Sequence, residues 1–147
     1  MQAMDFYDQM GMERAFGAYF AAMERDYPDT MNAMLDARLH ACDYQAHTLT
    51  LRAQARPWMT NPGGILHGGV TAAYLDLAMG LVCRYFSGGV MTPTLHIDVS
   101  YLRNGHLDET IYIQARATKL GSTICYAVGS VYPEGKPDRP IATAAGS

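Results

Sequence analysis

The sequence is poor in cysteine and has no two cysteines at short spacing. Its 147 residues include only Cys42, Cys83 and Cys125. An odd, scattered set of this kind is typical of reduced thiols in a cytosolic protein and not of a disulfide framework. The CxxC pair of common zinc and redox sites is absent as well. We therefore expect a cytoplasmic protein that needs neither a metal ion nor a cofactor.

Charge, a leader segment and a long hydrophobic run are also scarce or missing. Charged residues make up 17% of the chain and the net charge is −3, which argues against a nucleic-acid binder. The N-terminus carries Asp5 and Asp8 and no basic region before an apolar run, so we predict no signal peptide. The longest apolar stretch, residues 68–83, is shorter than the roughly 20 residues of a membrane span. The low share of charge suggests instead that another subunit covers part of the surface.

The length and the hydrophobic pattern predict one domain over residues 1–147. Apolar residues at spacings of three and four predict an N-terminal helix over residues 4–26. Two β-like runs, residues 35–43 and 48–56, are joined by a short link and form a hairpin candidate. Residues 68–85 are apolar almost all round, which indicates a helix buried on most sides. Further strands are predicted over residues 92–102, 110–120, 122–132 and 141–145.

This order of elements favours an α+β fold. One helix wrapped by an antiparallel sheet would bury residues 68–85, and the strands after it have no helices between them. A parallel α/β layout, which needs a helix between successive strands, is disfavoured.

Asp76 is the most informative residue of the predicted central helix. It is the only carboxylate between Ile65 and Cys83. A buried unpaired charge costs several kcal/mol or is neutralised through a raised pKa, so an acid at such a position needs a reason. One interpretation is a helix position that faces a water pocket or a buried partner. The other is a catalytic carboxylate.

A glycine-rich segment, residues 61–69, comes directly before that helix. Glycines at a helix start allow a ligand to approach the backbone, and the first N–H groups have no partner within the helix. Such donors, together with the helix dipole, can stabilise an oxyanion, and one donor is worth about 3–4 kcal/mol in a transition state. A His-Gly-Gly turn alone is more often structural. A lone acid shortly after it makes the functional interpretation stronger.

The motif Asn61-x-x-Gly64-x-x-His67-Gly68-Gly69, followed by Asp76 and by residues 94–103, resembles the hotdog-fold thioesterases of the phenylacetic-acid-degradation type. The mammalian thioesterase superfamily members share the pattern. The resemblance runs from about residue 35 to residue 147. It implies a hotdog core over that range, an additional N-terminal helix, and hydrolysis of acyl-CoA thioesters in a dimer or a dimer of dimers.

The resemblance also implies roles for individual residues. Asp76 would activate water or attack directly, and the Gly68 N–H would polarise the thioester carbonyl. The other catalytic candidates are Asn61, His67 and Thr94. The substrate-binding candidates are Gly69, His96 and Arg103. The chain departs from the pattern at Asn104, where a proline is common. We expect no metal site, because His96 and Asp98 supply two ligands without a third.

Helix geometry adds an argument for a shared site. Gly68 and Asp76 are eight residues apart, or about 12 Å along a helix with a rise of 1.5 Å per residue. One thioester carbonyl cannot contact both in the same chain. Two antiparallel helices related by a two-fold axis would bring Gly68 of one chain near Asp76 of the other. We therefore expect a homo-oligomer with its active site between subunits.

Two other functions stay open at this point. A hotdog dehydratase is disfavoured, because its histidine is preceded by glycine and followed by Phe-Pro, whereas His67 is followed by Gly68. A non-catalytic acyl-CoA-binding module would not need Asp76. Cys83 has no histidine at a nucleophile's spacing and is more readily explained as a small core residue. The sequence leaves open the acyl group, and whether Asp76 acts as a base or a nucleophile.

Overall fold

The computed structural model of the protein describes residues 8–147 and contains three α-helices. They are α1 (Gln9–Asp26), the short α2 (Met31–Met34) and α3 (Gly68–Phe86). Helix α1 begins where the Asp8 carboxylate accepts a hydrogen bond from the Gly11 N–H at 2.7 Å, an N-cap of the usual kind. The predicted N-terminal helix is confirmed over these residues. Its proposed first four residues, 4–7, lie outside the described part of the chain.

Six strands form a single antiparallel sheet. In chain order they are β1 (Arg38–Asp43), β2 (Thr48–Gln54), β3 (Ile97–Tyr101), β4 (Thr110–Leu120), β5 (Cys125–Pro133) and β6 (Ala142–Gly146). Their order across the sheet is β1-β2-β4-β5-β6-β3. The predicted hairpin is β1-β2, and β4 continues from it in unbroken register from Thr48↔Arg116 to Gln54↔Thr110. Strands β1 and β3 form the two edges.

Helix α3 packs across one face of this sheet, mainly on β4 and β5. Ten of its residues are buried, including Tyr74, Leu75, Ala78 and Val82 at 0% exposure. The Tyr74 hydroxyl donates to the carbonyl of Leu35 at 2.6 Å, so the one polar atom of this buried side chain is paired. The predicted layout, one long helix wrapped by an antiparallel sheet, is confirmed.

Three strands begin three or more residues later than the sequence pattern predicted. One of them is β5, which starts at Cys125 and not at residue 122. Strand β1 starts at Arg38 and not at residue 35, because α2 and a left-handed Asp36 (φ 51°) precede it. Strand β3 starts at Ile97 and not at residue 92. The segment before it, residues 92–96, turns toward α3, and only its end pairs with the last residue of the chain, where the Leu95 N–H donates to the Ser147 carbonyl at 2.8 Å.

No helix in residues 8–147 is long and apolar enough to cross a membrane.

Candidate active site at helix α3

The first turn of α3 is shaped by His67. This residue is the N-cap of the helix, and its Nδ1 accepts a hydrogen bond from the Gly69 N–H at 2.9 Å. An accepting Nδ1 places the proton of the neutral ring on Nε2, so that nitrogen is a donor on an exposed side chain. The Gly69 amide, a predicted substrate contact, is therefore already used within the turn.

The Gly68 N–H is the free donor of this turn. It has no hydrogen-bond acceptor among residues 8–147, as expected for the first residue of a helix. The Gly68 carbonyl accepts from the Tyr101 hydroxyl at 2.8 Å, and a methyl group on Gly68 would lie 3.3 Å from the Tyr101 ring. Tyr101 thus fixes the helix start from the edge strand β3. Sequence reasoning missed this residue, because a tyrosine in a strand pattern gives no hint of such a contact.

The loop before α3 is held together by Asn61. Its Oδ1 accepts from the N–H groups of Gly63 and Ile65 at 2.9 and 3.3 Å. The loop is further fixed by an isolated bridge between Ile65 and His106. Gly64 adopts a φ of +74°, which L side chains rarely reach. The Asn61 oxygen therefore has a structural role, and its Nδ2 group is the part left for a ligand.

Asp76 interrupts the most buried part of α3. From Tyr74 to Cys83, only Asp76 and Gly80 are not buried. In the single protomer the Asp76 side chain is exposed and accepts a hydrogen bond from Thr94, so it does not carry the cost of a buried unpaired charge. The Thr94 Oγ1 lies 2.5 Å from the Asp76 Oδ1, the short distance of a hydroxyl that donates to a carboxylate.

Asp76 and Thr94 open onto a cavity of about 510 Å³. His96 also lines it, at the start of the pairing with Ser147. The rest of the wall is largely apolar and includes Met79, Cys83, Phe86, Leu120 and Ile124. The carboxylate and the hydroxyl could hold a water molecule, and the apolar wall could accommodate an acyl group.

The predicted site residues form two separate groups in the protomer. Asp76, Thr94 and His96 line the cavity. Asn61, His67, Gly68 and Gly69 surround the start of α3 and do not line it. Because α3 is one uninterrupted helix, the two groups are about 12 Å apart along its axis.

Arg103 joins neither group. Its guanidinium donates to the Pro140 carbonyl at 3.1 Å, just beyond the end of β3. In residues 8–147, no three His, Cys, Asp or Glu side chains are grouped closely enough to hold a metal ion. His96 lies one residue before β3 and pairs with Ser147, and both His96 and Asp98 are exposed.

The structure brings together two cysteines that the sequence did not connect. The Sγ atoms of Cys83, on α3, and Cys125, on β5, are 2.6 Å apart. Burial, and next the neighbouring Cys125, raise the pKa of the Cys83 thiol well above its usual range. A thiol so hard to ionise is a poor nucleophile, which agrees with the interpretation of Cys83 as a core residue.

A family model described as the thioesterase superfamily matches residues 63–137, just over half of the chain. These residues include the helix start, Asp76, Thr94 and most of the cavity wall. No curated protein sequence matches the chain.

Solved structures of thioesterases have the same fold. Zebra fish thioesterase superfamily member 2 superposes with a TM-score of 0.79 at 22% identity, over 90% of this chain and 94% of that chain. A putative thioesterase of Ralstonia eutropha JMP134, a phenylacetic acid degradation-related protein, gives 0.72 at 27% identity, over 87% and 96%. A Streptococcus mutans UA159 protein solved with acetyl CoA gives 0.67 at 23% identity, over 75% and 84%. The hotdog fold that the sequence motif implied is confirmed.

Proposed function

The chain belongs to the thioesterase superfamily, and on this basis we propose that it hydrolyses an acyl-CoA thioester to a free acid and CoA. The observation that carries the proposal is the hydrogen-bonded pair of Asp76 and Thr94, which lines a largely apolar cavity. The remainder of α3 from Tyr74 to Cys83 is apolar, so a carboxylate there contributes nothing to packing. Its use is chemical.

The two carboxylate oxygens of Asp76 have different roles in the proposed reaction. Thr94 occupies Oδ1, which leaves Oδ2 to accept a proton from a water molecule. That water attacks the thioester carbonyl, the C–S bond breaks, and the CoA sulfur leaves as a thiolate that takes up a proton. In the other route, Oδ2 attacks the carbonyl itself, and water then hydrolyses the mixed anhydride. Both routes consume one water and yield one acid and one thiol.

The negative charge that develops on the carbonyl oxygen needs a donor. The free Gly68 N–H at the positive end of the α3 dipole is such a donor. The Nε2–H of His67 and the Nδ2 group of Asn61 are the donors beside it, since their other polar atoms are occupied within the loop. We assign Gly69 to the turn that shapes this site, and His96 and Arg103 to contacts with the substrate.

We propose that the Gly68 group of one subunit and the Asp76 group of another form one site. The stripe of α3 left uncovered in the protomer carries Gly69, Ala73, Asp76 and Gly80, at spacings of four, three and four. Small side chains on one stripe allow a second helix to approach closely. The edge strand β3 is flanked by exposed apolar side chains, with Met91 at 77% and Leu95 at 69% exposure. An unpaired edge and an apolar surface together favour contact with a second copy.

An acyl-CoA ligand is supported by the similar Streptococcus mutans structure, which was solved with acetyl CoA. The acyl group would enter the cavity beside Asp76, where Met79, Phe86 and Leu120 offer apolar contacts. The test is hydrolysis of a series of acyl-CoA substrates, in which the released thiol is followed with a chromogenic reagent. Thiol release by the wild type at a rate linear in enzyme concentration supports the proposal. Binding without release, measured by calorimetry, would favour the acyl-CoA-binding module.

The role of Thr94 is tested by a matched pair of variants. Thr94→Val keeps the shape and removes the donor to Asp76, and we expect kcat to fall by about tenfold or more, the scale of a hydrogen bond to a charged group. Thr94→Ser keeps a hydroxyl and should stay within about threefold of the wild type. The measurement is the kcat of both variants and of the wild type with one acyl-CoA substrate. Equal kcat values for the two variants would mean that the Thr94 hydroxyl has no role in the reaction.

The role of His67 is tested by separating its two nitrogens. His67→Ala loses the cap of α3, and we expect about 1 kcal/mol lower stability together with a reduced kcat/KM. Asparagine is a good N-cap but lacks a donor at the position of Nε2, so His67→Asn should recover the stability and not the activity. Thermal unfolding and kcat/KM are measured on both. Recovery of both properties in His67→Asn would mean that His67 is only a cap.

A further inference from the structure

Cys83 and Cys125 are placed for a reaction that thioester hydrolysis does not use. The Cys125 thiol donates toward the Cys83 sulfur at 2.6 Å, and the two residues are 42 positions apart in the chain. They belong to different layers of the fold, α3 and β5, which pack against each other. A bond between these sulfurs would need only a small closing of two side chains that are already in contact.

The two thiols differ in their access to solvent. Cys83 is 7% exposed, whereas Cys125 is half-buried at the start of β5. Both line the cavity that also contains Asp76. A small neutral oxidant that enters the cavity therefore has better access to Cys125 than to Cys83, and the two sulfurs are in contact.

We propose that Cys83 and Cys125 are a reversible disulfide site, which forms when the protein meets a peroxide. The Cys125 sulfur attacks one oxygen of hydrogen peroxide and becomes a sulfenic acid, while the other oxygen leaves as water. The Cys83 sulfur then attacks the sulfenic sulfur and a second water leaves, which takes the Cys83 proton. Two electrons pass from the thiols to the peroxide. A dithiol reductant reverses the change.

The order of these steps follows from the surroundings of each sulfur. Burial raises the pKa of the Cys83 thiol, so Cys83 is slow to attack a peroxide from solution. It does not need to diffuse, because its partner is in contact, and a sulfenic acid at Cys125 meets it at once. The close neighbour protects Cys125 from further oxidation to sulfinic acid, which a lone exposed thiol would undergo.

The disulfide would link α3 to the sheet across a long loop. Cross-linking residues far apart in sequence restricts the unfolded chain more than cross-linking close ones. The oxidised protein should therefore unfold at a higher temperature than the reduced one. Because the sulfurs already touch, the native packing around them has little to change.

Cys42 supplies the control. It lies on β1, where its sulfur accepts from the Gln9 side chain, and burial raises its pKa to about 11. In the Cys42→Ser protein the only remaining thiols are those of Cys83 and Cys125, so the number of alkylated thiols reports on this pair alone. Cys83→Ala and Cys125→Ala, each in this background, leave a single thiol.

The experiment exposes the Cys42→Ser protein to hydrogen peroxide and measures its intact mass, its alkylatable thiols and its thermal midpoint. We expect a loss of about 2 Da, loss of both alkylation sites and a raised midpoint, all reversed by dithiothreitol. The Cys83→Ala variant, which retains Cys125, should instead gain oxygen. The Cys125→Ala variant, which retains only the buried Cys83, should react little, and both should keep their midpoint. Two thiols that stay alkylatable, sulfinic acid on Cys125 in place of the disulfide, or a disulfide between chains would each overturn the proposal. Mass and thiol count do not depend on whether the protein hydrolyses acyl-CoA.

Discussion

Asp76→Asn is expected to fold as the wild type does and to lose at least about two orders of magnitude in kcat, the usual scale for loss of a general base. Asparagine has the shape of aspartate and keeps an oxygen that can accept from Thr94, so the cavity wall is preserved. What it lacks is an oxygen able to take a proton from water or to attack the thioester. The loss should appear in kcat with KM little changed, since substrate binding does not need the negative charge.

The measurement is thiol release from an acyl-CoA substrate, with the thermal midpoint of each protein as the check on folding. Asp138 lies exposed in the turn between β5 and β6, away from α3 and the cavity. Asp138→Asn is therefore the matched control, because it makes the same change of side chain and charge outside the candidate site. If Asp76→Asn turns over substrate at nearly the wild-type rate, Asp76 is not the catalytic carboxylate.

Oxygen-18 labelling separates the two roles of Asp76. In a single turnover in labelled water, a general base directs the label into the released acid. A nucleophile gives its own oxygen to the acid and takes the label into its carboxyl group. Mass analysis of the peptide that contains Asp76 distinguishes them, because only the second route leaves label in the enzyme.

The sequence predicted the architecture because the patterns of its elements are strong. Residues 68–85 are apolar on nearly every side, which only a helix covered by a sheet can satisfy, and α3 spans Gly68–Phe86. The alternation of the second strand predicted β2 to within two residues of its end. Weaker patterns predicted less well. The run from residue 92 resembles a strand, but Pro93 has no N–H to donate to a sheet, and pairing starts only near residue 95.

The candidate site was predictable where its signal is local and not where it depends on packing. Asp76 stands out in the sequence as the lone acid of an apolar helix, and His67 and Gly68 as the start of that helix. The exposure of Asp76 depends on which stripe of α3 the sheet leaves uncovered. The contact of Tyr101 with Gly68 and that of Cys125 with Cys83 join residues 33 and 42 positions apart. Only the folded chain reveals such pairs.

The distance between the two groups of site residues bears on the assembly. The donor at Gly68 and the carboxylate at Asp76 lie at different heights on one rigid helix, about 12 Å apart. A helix cannot bend so far that the Gly68 N–H contacts the oxygen of a carbonyl group while the Asp76 carboxylate of the same chain reaches its carbon. A two-fold axis that crosses the uncovered stripe of α3 would make the two helices antiparallel, and would create two identical sites from one pair of chains.

Mixing two inactive variants should therefore restore activity. The first is Asp76→Asn. The second is Asn61→Asp, which keeps an oxygen to accept from Gly63 and Ile65, removes the Nδ2 donor and puts a negative charge beside the developing oxyanion. In a mixed dimer one site combines the intact Asp76 of one chain with the intact Asn61 of the other, and the second site carries both defects. After random exchange of equal amounts half of the dimers are mixed, so about a quarter of the wild-type activity per chain should return. Differently tagged chains, copurified on both tags, verify the exchange. A verified mixed dimer without activity would mean that each site is built within a single chain, because only a shared site regains its full set of groups from two different partners.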